Sequence, residues 1–131
     1  MKNLKILANK EKFRKFLGIE IVSIGKGYAK VKLKITAEMT NIYDFTHGGV
    51  IFALADEAFE LACNSRNYVE FGLTVSISYT KASVPNDTLF AEAKFISESK
   101  KISVYSVTIT NDKNEVIASS QATAYKKATY L

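Results

Sequence analysis

The spacing of apolar and polar residues predicts a helix and a β-hairpin in the first third of the chain. Residues 5–16 mix charged and apolar side chains at the spacing of a short amphipathic helix. Residues 17–24 and 27–35 alternate apolar and polar positions on either side of a Gly-Lys-Gly turn, which is typical of two paired strands. The apolar positions that define these elements are Ile6, Phe13 and Phe16 in the helix and, facing the core, Val31, Leu33 and Ile35 in the hairpin.

A long apolar segment and four further alternating runs complete the pattern. Residues 49–65 carry apolar side chains around most of a helical wheel, which indicates a buried helix. Strands are predicted over residues 73–79, 88–96, 102–111 and 116–125. One buried helix among many strands with short connections favours an α+β fold in which an antiparallel sheet wraps around the helix.

Length and composition limit the organisation of the chain. With 131 residues, 47% of them hydrophobic, it suits a single domain over residues 1–131 with one core. It has no apolar run near the roughly 20 residues that span a bilayer and no signal-peptide pattern, so we expect a cytoplasmic protein without a membrane partner. Cys63 and His47, each the only residue of its type, are too few for a disulfide framework or a structural zinc site, and we expect no metal.

The net charge of +5, from 18 Lys and Arg against 13 Asp and Glu, favours an anionic partner. The basic residues are spread from Lys2 to Lys127, and none of the common nucleic-acid-binding motifs is present, so we expect no nucleic-acid partner. A phosphorylated molecule such as coenzyme A would fit a positive surplus of this kind. An ordinary solvated surface would fit it equally well.

The predicted start of the central helix offers backbone N–H groups to a ligand. His47, Gly48 and Gly49 stand where the first helical turn has N–H groups without intrahelical partners, and glycines leave those amides uncovered. A substrate carbonyl could enter there and find an oxyanion hole. The alternative is that the two glycines only make a tight turn into the helix.

Asp56 lies in the most apolar part of the same helix. Burial among apolar neighbours would raise its pKa above the usual value of about 3.9, and a carboxyl group perturbed in this way is a functional candidate. The alternative is a rim position in which Asp56 is solvated like Glu57. We interpret the nearby Cys63 as a small buried apolar residue rather than a nucleophile, because His47 lies at the far end of the helix. The residues predicted to share the face of Asp56 are Phe52, Phe59, Glu60 and Cys63.

The separation of Gly48 and Asp56 limits how the two can act together. They are eight residues apart, which along a helix is roughly 12 Å. A single substrate carbonyl cannot place its oxygen at one and its carbon at the other, since both contacts must be near 3 Å. If both groups act on one carbonyl, they come from two subunits of a two-fold dimer in which antiparallel helices bring each Gly48 toward the partner's Asp56.

The segment from Asn41 to Ser65 resembles the central segment of the PaaI-type hot-dog thioesterases. It combines Asn41 with His-Gly-Gly, then Phe-x-Leu-Ala-Asp-x-Ala, and ends in Ala-Cys-Asn-Ser. Weaker similarity extends over roughly residues 16–125. The resemblance implies a hot-dog fold, an antiparallel sheet wrapped around a long central helix, and assembly as a homodimer or as a dimer of dimers, a homotetramer.

The resemblance also implies roles for individual residues. The Gly48 N–H would polarise the thioester carbonyl, with Gly49 beside it, and Asp56 of the partner subunit would act as general base or nucleophile. Asn41 would orient the carbonyl or the attacking water, whereas His47 would shape the loop by bonding to backbone. Candidates for contacts to the attacking water, the substrate or the CoA phosphates are Thr74, Ser76, Tyr79, Lys81 and Lys100.

The function implied by the resemblance is hydrolysis of acyl-CoA thioesters to free acid and CoA. Coenzyme A would enter only as part of the substrate and product, with no other cofactor. Aromatic residues such as Phe52 and Phe59 suggest an aryl-acetyl or medium-chain acyl group. Two alternatives stay open: an enoyl-CoA hydratase or dehydratase, which would use His47 with a carboxylate such as Asp44, and a non-catalytic acyl-CoA-binding protein.

Overall fold

The computed structural model of the protein describes residues 2–128. Two short helices, α1 (Lys2–Asn9) and α2 (Lys12–Leu17), are followed by the hairpin of β1 (Glu20–Gly25) and β2 (Tyr28–Lys34). The long helix α3 (Gly48–Cys63) comes next and runs into a short 3-10 turn at Asn64–Arg66. The remaining strands are β3 (Val69–Tyr79), β4 (Thr88–Glu98), β5 (Ile102–Asn111) and β6 (Val116–Ala128).

All six strands belong to one antiparallel sheet, in the order β1-β2-β4-β5-β6-β3. Helix α3 packs across this sheet and contacts every strand. The predicted architecture, an antiparallel sheet wrapped around one long helix, is therefore confirmed. Strands β1 and β3 form the two edges of the sheet within the described chain. No helix among the described residues is long and apolar enough to cross a membrane.

The core lies between α3 and the inner face of the sheet. Leu54, Ala58 and Leu61 of α3 are fully buried. The three hairpin residues predicted to face the core do so and are at most 2% exposed. Burial of such side chains stabilises the fold by about 1.5–3 kcal/mol each. The three are Val31, Leu33 and Ile35.

The N-terminal segment differs from the prediction. It forms two helices rather than one, and its buried face is anchored by Arg14. The Arg14 guanidinium donates to the carbonyls of Ala8 at 2.8 Å and Ile19 at 3.0 Å, which ties the end of α1 to the start of β1. Packing of α1 uses Leu4 and Ala8. The predicted apolar face is exposed instead, at Ile6, Phe13 and Phe16.

Strand boundaries shift where backbone geometry or pairing overrides the local pattern. β1 begins at Glu20 instead of residue 17 because Gly18, with φ 82°, ends α2 in the left-handed conformation. β3 begins at Val69, four residues earlier than predicted, because Val69 pairs with Ala128 in β6. The length of β3 thus depends on a strand distant in sequence.

Candidate active site

The first turn of α3 leaves one backbone N–H free. His47 is the N-cap residue, with φ −63° and ψ 135°, and its Nδ1 accepts a hydrogen bond from the Gly49 N–H at 2.8 Å. The N–H groups of Val50 and Ile51 donate to the His47 carbonyl. Within residues 2–128 the Gly48 N–H donates no hydrogen bond. The Gly48 amide, at the positive end of the helix dipole, is therefore available to a ligand.

His47 caps the helix in this arrangement. Its Nδ1 is the acceptor of the bond from the Gly49 N–H, which fixes the ring against the first turn of α3. The side chain thus bonds to backbone, as expected. Because the Gly49 N–H donates to His47, it is not available to a ligand, whereas the Gly48 N–H is.

Asn41 holds the loop that leads into α3. Its side-chain oxygen accepts hydrogen bonds from the N–H groups of Tyr43 at 2.9 Å and Phe45 at 3.2 Å. Asp44, between them, has a positive φ of 65°, so the loop makes a tight turn around the Asn41 carboxamide. This turn places Asn41 on the wall of the cavity onto which Gly48 opens.

The Gly48 cavity measures about 380 Å³. On one side the Tyr79 hydroxyl donates to the Gly48 carbonyl at 3.2 Å, and a Cβ atom added at Gly48 would lie 3.4 Å from the Tyr79 Cζ. Lys81 lies on the same wall, with its ammonium group in an ion pair with Glu115. Four of the predicted site residues therefore meet here: Asn41, Gly48, Tyr79 and Lys81.

Asp56 opens onto a different cavity, of about 370 Å³. Phe52 and Phe59 from α3 line it, and β3 contributes Phe71 and Thr74. Among the described residues, the linings of the Asp56 and Gly48 cavities share no member. Two further predicted residues, Ser76 on β3 and Lys100 at the β4–β5 turn, are exposed outside both cavities.

The structure corrects the expectation that Glu57 is a solvated residue. Glu57, taken as a solvated reference, is only 6% exposed and lies 4.0 Å from the Arg14 Nε. Asp56 is exposed in the single chain, so the chain alone does not bury it. The pKa of Asp56 is nevertheless raised, first by partial desolvation and then by the negative charge of Glu11.

A cluster of carboxyl groups lies beside Asp56. Glu11, Glu57 and Glu60 each place one oxygen within 4.8 Å of the others, and of the described residues these three form the group able to hold a metal ion. Desolvation and the neighbouring Glu11 carboxyl raise the pKa of the buried Glu57 to about 10, and they also raise the pKa of Glu60, although Glu60 is exposed in the single chain. The sequence shows only one sign of this cluster, the spacing of three residues between Glu57 and Glu60 on the helix. Glu11 is brought in by the fold.

Cys63 is buried at the end of α3, as predicted. Burial raises the pKa of its thiol, so that the thiolate does not form near neutral pH. A role as nucleophile is therefore unfavourable. Its side chain packs as a small apolar group.

Comparison with known proteins identifies relatives across most of the chain. Residues 43–118 match the model of the thioesterase superfamily. The acyl-coenzyme A thioesterase PaaI of Escherichia coli is 36% identical over 104 residues, which cover 79% of this chain and 74% of that protein. The 1,4-dihydroxy-2-naphthoyl-CoA hydrolase of Listeria monocytogenes is 31% identical over 115 residues, which cover 85% of this chain and 93% of that protein.

Among solved structures, the E. coli PaaI protein from the phenylacetic acid degradation operon superposes with a TM-score of 0.94 at 30% identity, covering 98% of this chain and 94% of that one. The family model spans more than half of the chain, and the likeness to PaaI extends to nearly all of the fold. The chain belongs to the thioesterase superfamily and has the hot-dog fold of its PaaI-type members.

Proposed function

We propose that this thioesterase hydrolyses acyl-CoA thioesters, with each active site assembled from two subunits. Water adds to the thioester carbonyl, the carbon–sulfur bond breaks, and the products are a carboxylic acid and free CoA. The observation that carries the proposal is the position of Gly48 and Asp56 on one helix, facing separate cavities. Relatives named as an acyl-CoA thioesterase and a CoA hydrolase support the substrate class.

The two groups are too far apart to act on one substrate within a single chain. Gly48 is the first residue of α3 and Asp56 is the ninth, a separation of roughly 12 Å along the axis. An oxyanion donor and a general base must both lie near 3 Å from the reacting group. The second half of each site must therefore come from another copy of the chain.

The edge strand β3 provides a surface for that copy. One edge of β3 pairs with β6, and within the described chain the other edge has no partner strand. Phe71 is 58% exposed and Leu73 is 59% exposed on this strand. An uncovered strand edge with large apolar side chains favours pairing with a second β3.

Antiparallel pairing of two β3 strands would bring the Gly48 cavity of one subunit next to the Asp56 cavity of its partner. Along β3, the residues that line the Asp56 cavity come first, at positions 70–75, and Tyr79 at the Gly48 cavity comes last. A two-fold axis reverses this order in the partner strand. The Gly48 cavity of one subunit would then lie beside the Asp56 cavity of the other, twice in each dimer.

In the assembled site, the Gly48 N–H would donate to the thioester oxygen and stabilise the negative charge that develops there. Asp56 of the partner subunit, as a carboxylate, would take a proton from water or attack the carbonyl itself. The Asn41 side-chain oxygen is already bonded to the loop, which leaves its amide nitrogen to orient the carbonyl or the water. Thr74 lines the Asp56 cavity and could hold the same water.

The geometry of His47 favours hydrolysis over hydration of an enoyl thioester. A hydratase of this fold would need His47 as its base, paired with a carboxylate such as Asp44. Nδ1 of His47 is occupied by the Gly49 N–H, and this bond ties the ring to the start of the helix. The Asp56 carboxyl, in an open cavity with a raised pKa, is the better base.

The walls of the Asp56 cavity suit an apolar acyl group. Phe52, Phe59 and Phe71 surround a space of about 370 Å³, which would accommodate an aryl-acetyl or medium-chain group. The CoA portion would extend along the surface, where Lys81 and Lys100 would meet its phosphates. A Streptococcus mutans structure bound to acetyl CoA, 28% identical with a TM-score of 0.84 over 88% of this chain and 94% of that one, supports CoA as the carrier.

A panel of acyl-CoA substrates tests the proposal. Thiol release would be followed for phenylacetyl, benzoyl, hexanoyl and acetyl thioesters with the wild-type protein and with Asp56→Asn. We expect hydrolysis of the apolar members and a loss of at least about 10²-fold in kcat for the variant, with its oligomeric state unchanged. Tight binding without turnover across the panel would support an acyl-CoA-binding protein instead. Unchanged turnover in Asp56→Asn would reject the assignment of the base.

A further inference from the structure

Two neighbouring glycines form the start of α3, where the proposed oxyanion donor lies. Gly48 and Gly49 leave the Gly48 N–H uncovered, but a glycine backbone can adopt many more conformations than that of other residues. An oxyanion donor is effective when its N–H already points at the position where the charge develops. The Gly48 N–H therefore needs contacts that hold the surrounding backbone in place.

The peptide group between Gly48 and Gly49 is held at both of its ends. Its N–H, which belongs to Gly49, donates to the His47 Nδ1 at 2.8 Å. Its carbonyl, which belongs to Gly48, accepts a hydrogen bond from the Tyr79 hydroxyl at 3.2 Å. Because a peptide group is planar, two contacts at opposite edges fix the orientation of the whole group.

The peptide group on the other side of Gly48 is held by the helix itself. Its carbonyl, which belongs to His47, accepts hydrogen bonds from the N–H groups of Val50 at 3.0 Å and Ile51 at 3.3 Å. The Gly48 N–H lies in the plane of this group, so its direction is fixed once both flanking planes are fixed. Tyr79 supplies the contact that comes from outside α3 and its N-cap residue.

Tyr79 reaches Gly48 from the firmly attached end of a strand. It is the last residue of β3, where it pairs with Ala118 of β6. The next residue, Thr80, donates its N–H to the Ile117 carbonyl at 2.9 Å. The Tyr79 ring lies over Gly48, since a Cβ atom added there would be 3.4 Å from the Tyr79 Cζ. A side chain attached in this way can hold the first turn of α3 in place.

The loop before α3 is bonded to the segment that follows Tyr79. The Thr46 N–H donates to the Ser83 carbonyl at 2.8 Å, and the Thr46 hydroxyl donates to the Ser83 Oγ at 2.9 Å. Both residues are buried, so water does not compete for these bonds. The start of α3 and the end of β3 are thereby kept together, which holds the Tyr79 hydroxyl within reach of the Gly48 carbonyl.

We propose that Tyr79 is a positioning residue for hydrolysis: its hydroxyl holds the Gly48 carbonyl and thereby aims the Gly48 N–H at the thioester oxygen. This inference rests on the proposed function. In this role Tyr79 touches no reacting atom and transfers no proton. It keeps the oxyanion donor in the geometry that stabilises the transition state, so its loss lowers kcat. A direct contact between Tyr79 and the substrate would affect KM instead.

Tyr79→Phe tests this role, because it keeps the aromatic ring and removes only the hydroxyl. We expect kcat to fall at least about fivefold and KM to stay within about twofold of the wild-type value. Tyr125→Phe is the matched control, since Tyr125 is also an exposed tyrosine and lines neither the Gly48 nor the Asp56 cavity. A raised KM with an unchanged kcat in Tyr79→Phe would overturn the proposal, because Tyr79 would then be a substrate contact.

Backbone NMR relaxation of the whole chain without ligand tests the positioning directly. The order parameter of the Gly48 N–H should fall in Tyr79→Phe, whereas that of the Leu61 N–H, near the other end of α3, should stay the same. Tyr125→Phe should change neither order parameter. A lower kcat in Tyr79→Phe without a change at the Gly48 N–H would overturn the proposal.

The two measurements distinguish failure of this inference from failure of the proposed function. If the wild-type protein hydrolyses no acyl-CoA, the proposed function fails and so does any role of Tyr79 in it, whatever the relaxation data show. If the wild-type protein is active and Tyr79→Phe matches it in kcat and KM, the proposed function stands and the role of Tyr79 is rejected.

Discussion

The Gly48 amide and the Asp56 carboxyl lie on one helix and open onto cavities that have no lining residue in common. The helix fixes their separation, and no side-chain movement brings them to the same carbonyl. In the proposed two-fold dimer the same separation would become useful, because each site would take one group from each subunit. The following predictions test the consequences of this relationship.

Removal of the Gly48 N–H should abolish most of the catalysis. Proline is tolerated at the first helical position, and His47, with φ −63° and ψ 135°, has the conformation that a following proline favours. Gly48→Pro should therefore fold but lose about 10²–10³-fold in kcat, the usual effect of one lost oxyanion donor. Gly48→Ala is the control, since it keeps the N–H and its Cβ would lie 3.4 Å from Tyr79. Steady-state kinetics would decide, and equal losses in both variants would contradict the role of the amide.

Two inactive variants should restore activity when mixed. Subunits that carry Asp56→Asn and subunits that carry Gly48→Pro would be unfolded together and refolded. Half of the dimers formed at random are mixed, and one of the two sites in each has both groups intact, so about a quarter of wild-type activity should return. A site built within one chain would give no recovery. Recovery would be measured against each variant refolded alone.

A charge on the β3 edge should separate the subunits. Leu73 is 59% exposed on β3, and a lysine there would have to be buried if two such strands pair. Leu73→Lys should shift the protein toward monomer by light scattering and reduce hydrolysis at least about tenfold at low protein concentration. Val22→Lys, on the opposite edge strand β1, is the matched control. An active Leu73→Lys monomer would refute the shared site.

Neutralising Glu57 should stabilise the fold at alkaline pH. Burial and the neighbouring Glu11 carboxyl raise the pKa of Glu57 from 4.5 to about 10, so the folded state holds this proton more tightly than the unfolded state. The stability that this group contributes is fully present below pH 4.5 and is lost as pH rises toward 10. Glu57→Gln should therefore exceed the wild type by at least about 1 kcal/mol at pH 8 and match it at pH 4. Thermal unfolding at both pH values would show this, and a difference that does not depend on pH would argue against a proton held on Glu57.

Much of the fold could be predicted from periodicity alone. Residues 49–65 indicated the central helix within two residues at its C-terminal end, and the hairpin residues predicted to face the core do so. The N-terminal face was predicted wrongly because Arg14, a charged residue, anchors the buried side by two hydrogen bonds to backbone carbonyls. A prediction from the hydrophobic pattern places every charged residue in solvent, so it does not find a buried arginine such as Arg14.

By itself, the sequence determined that a buried helix begins with glycine amides, carries an acid eight residues later and is wrapped by an antiparallel sheet. These features are local, because spacing along a helix and alternation along a strand follow directly from residue order. Only the tertiary structure decided that His47 caps Gly49, that Gly48 and Asp56 face separate cavities, and that Glu11 meets Glu57 and Glu60. Such contacts depend on how elements distant in the sequence pack together. The order of residues along one helix or strand does not show which charges and hydrogen-bonding groups will meet.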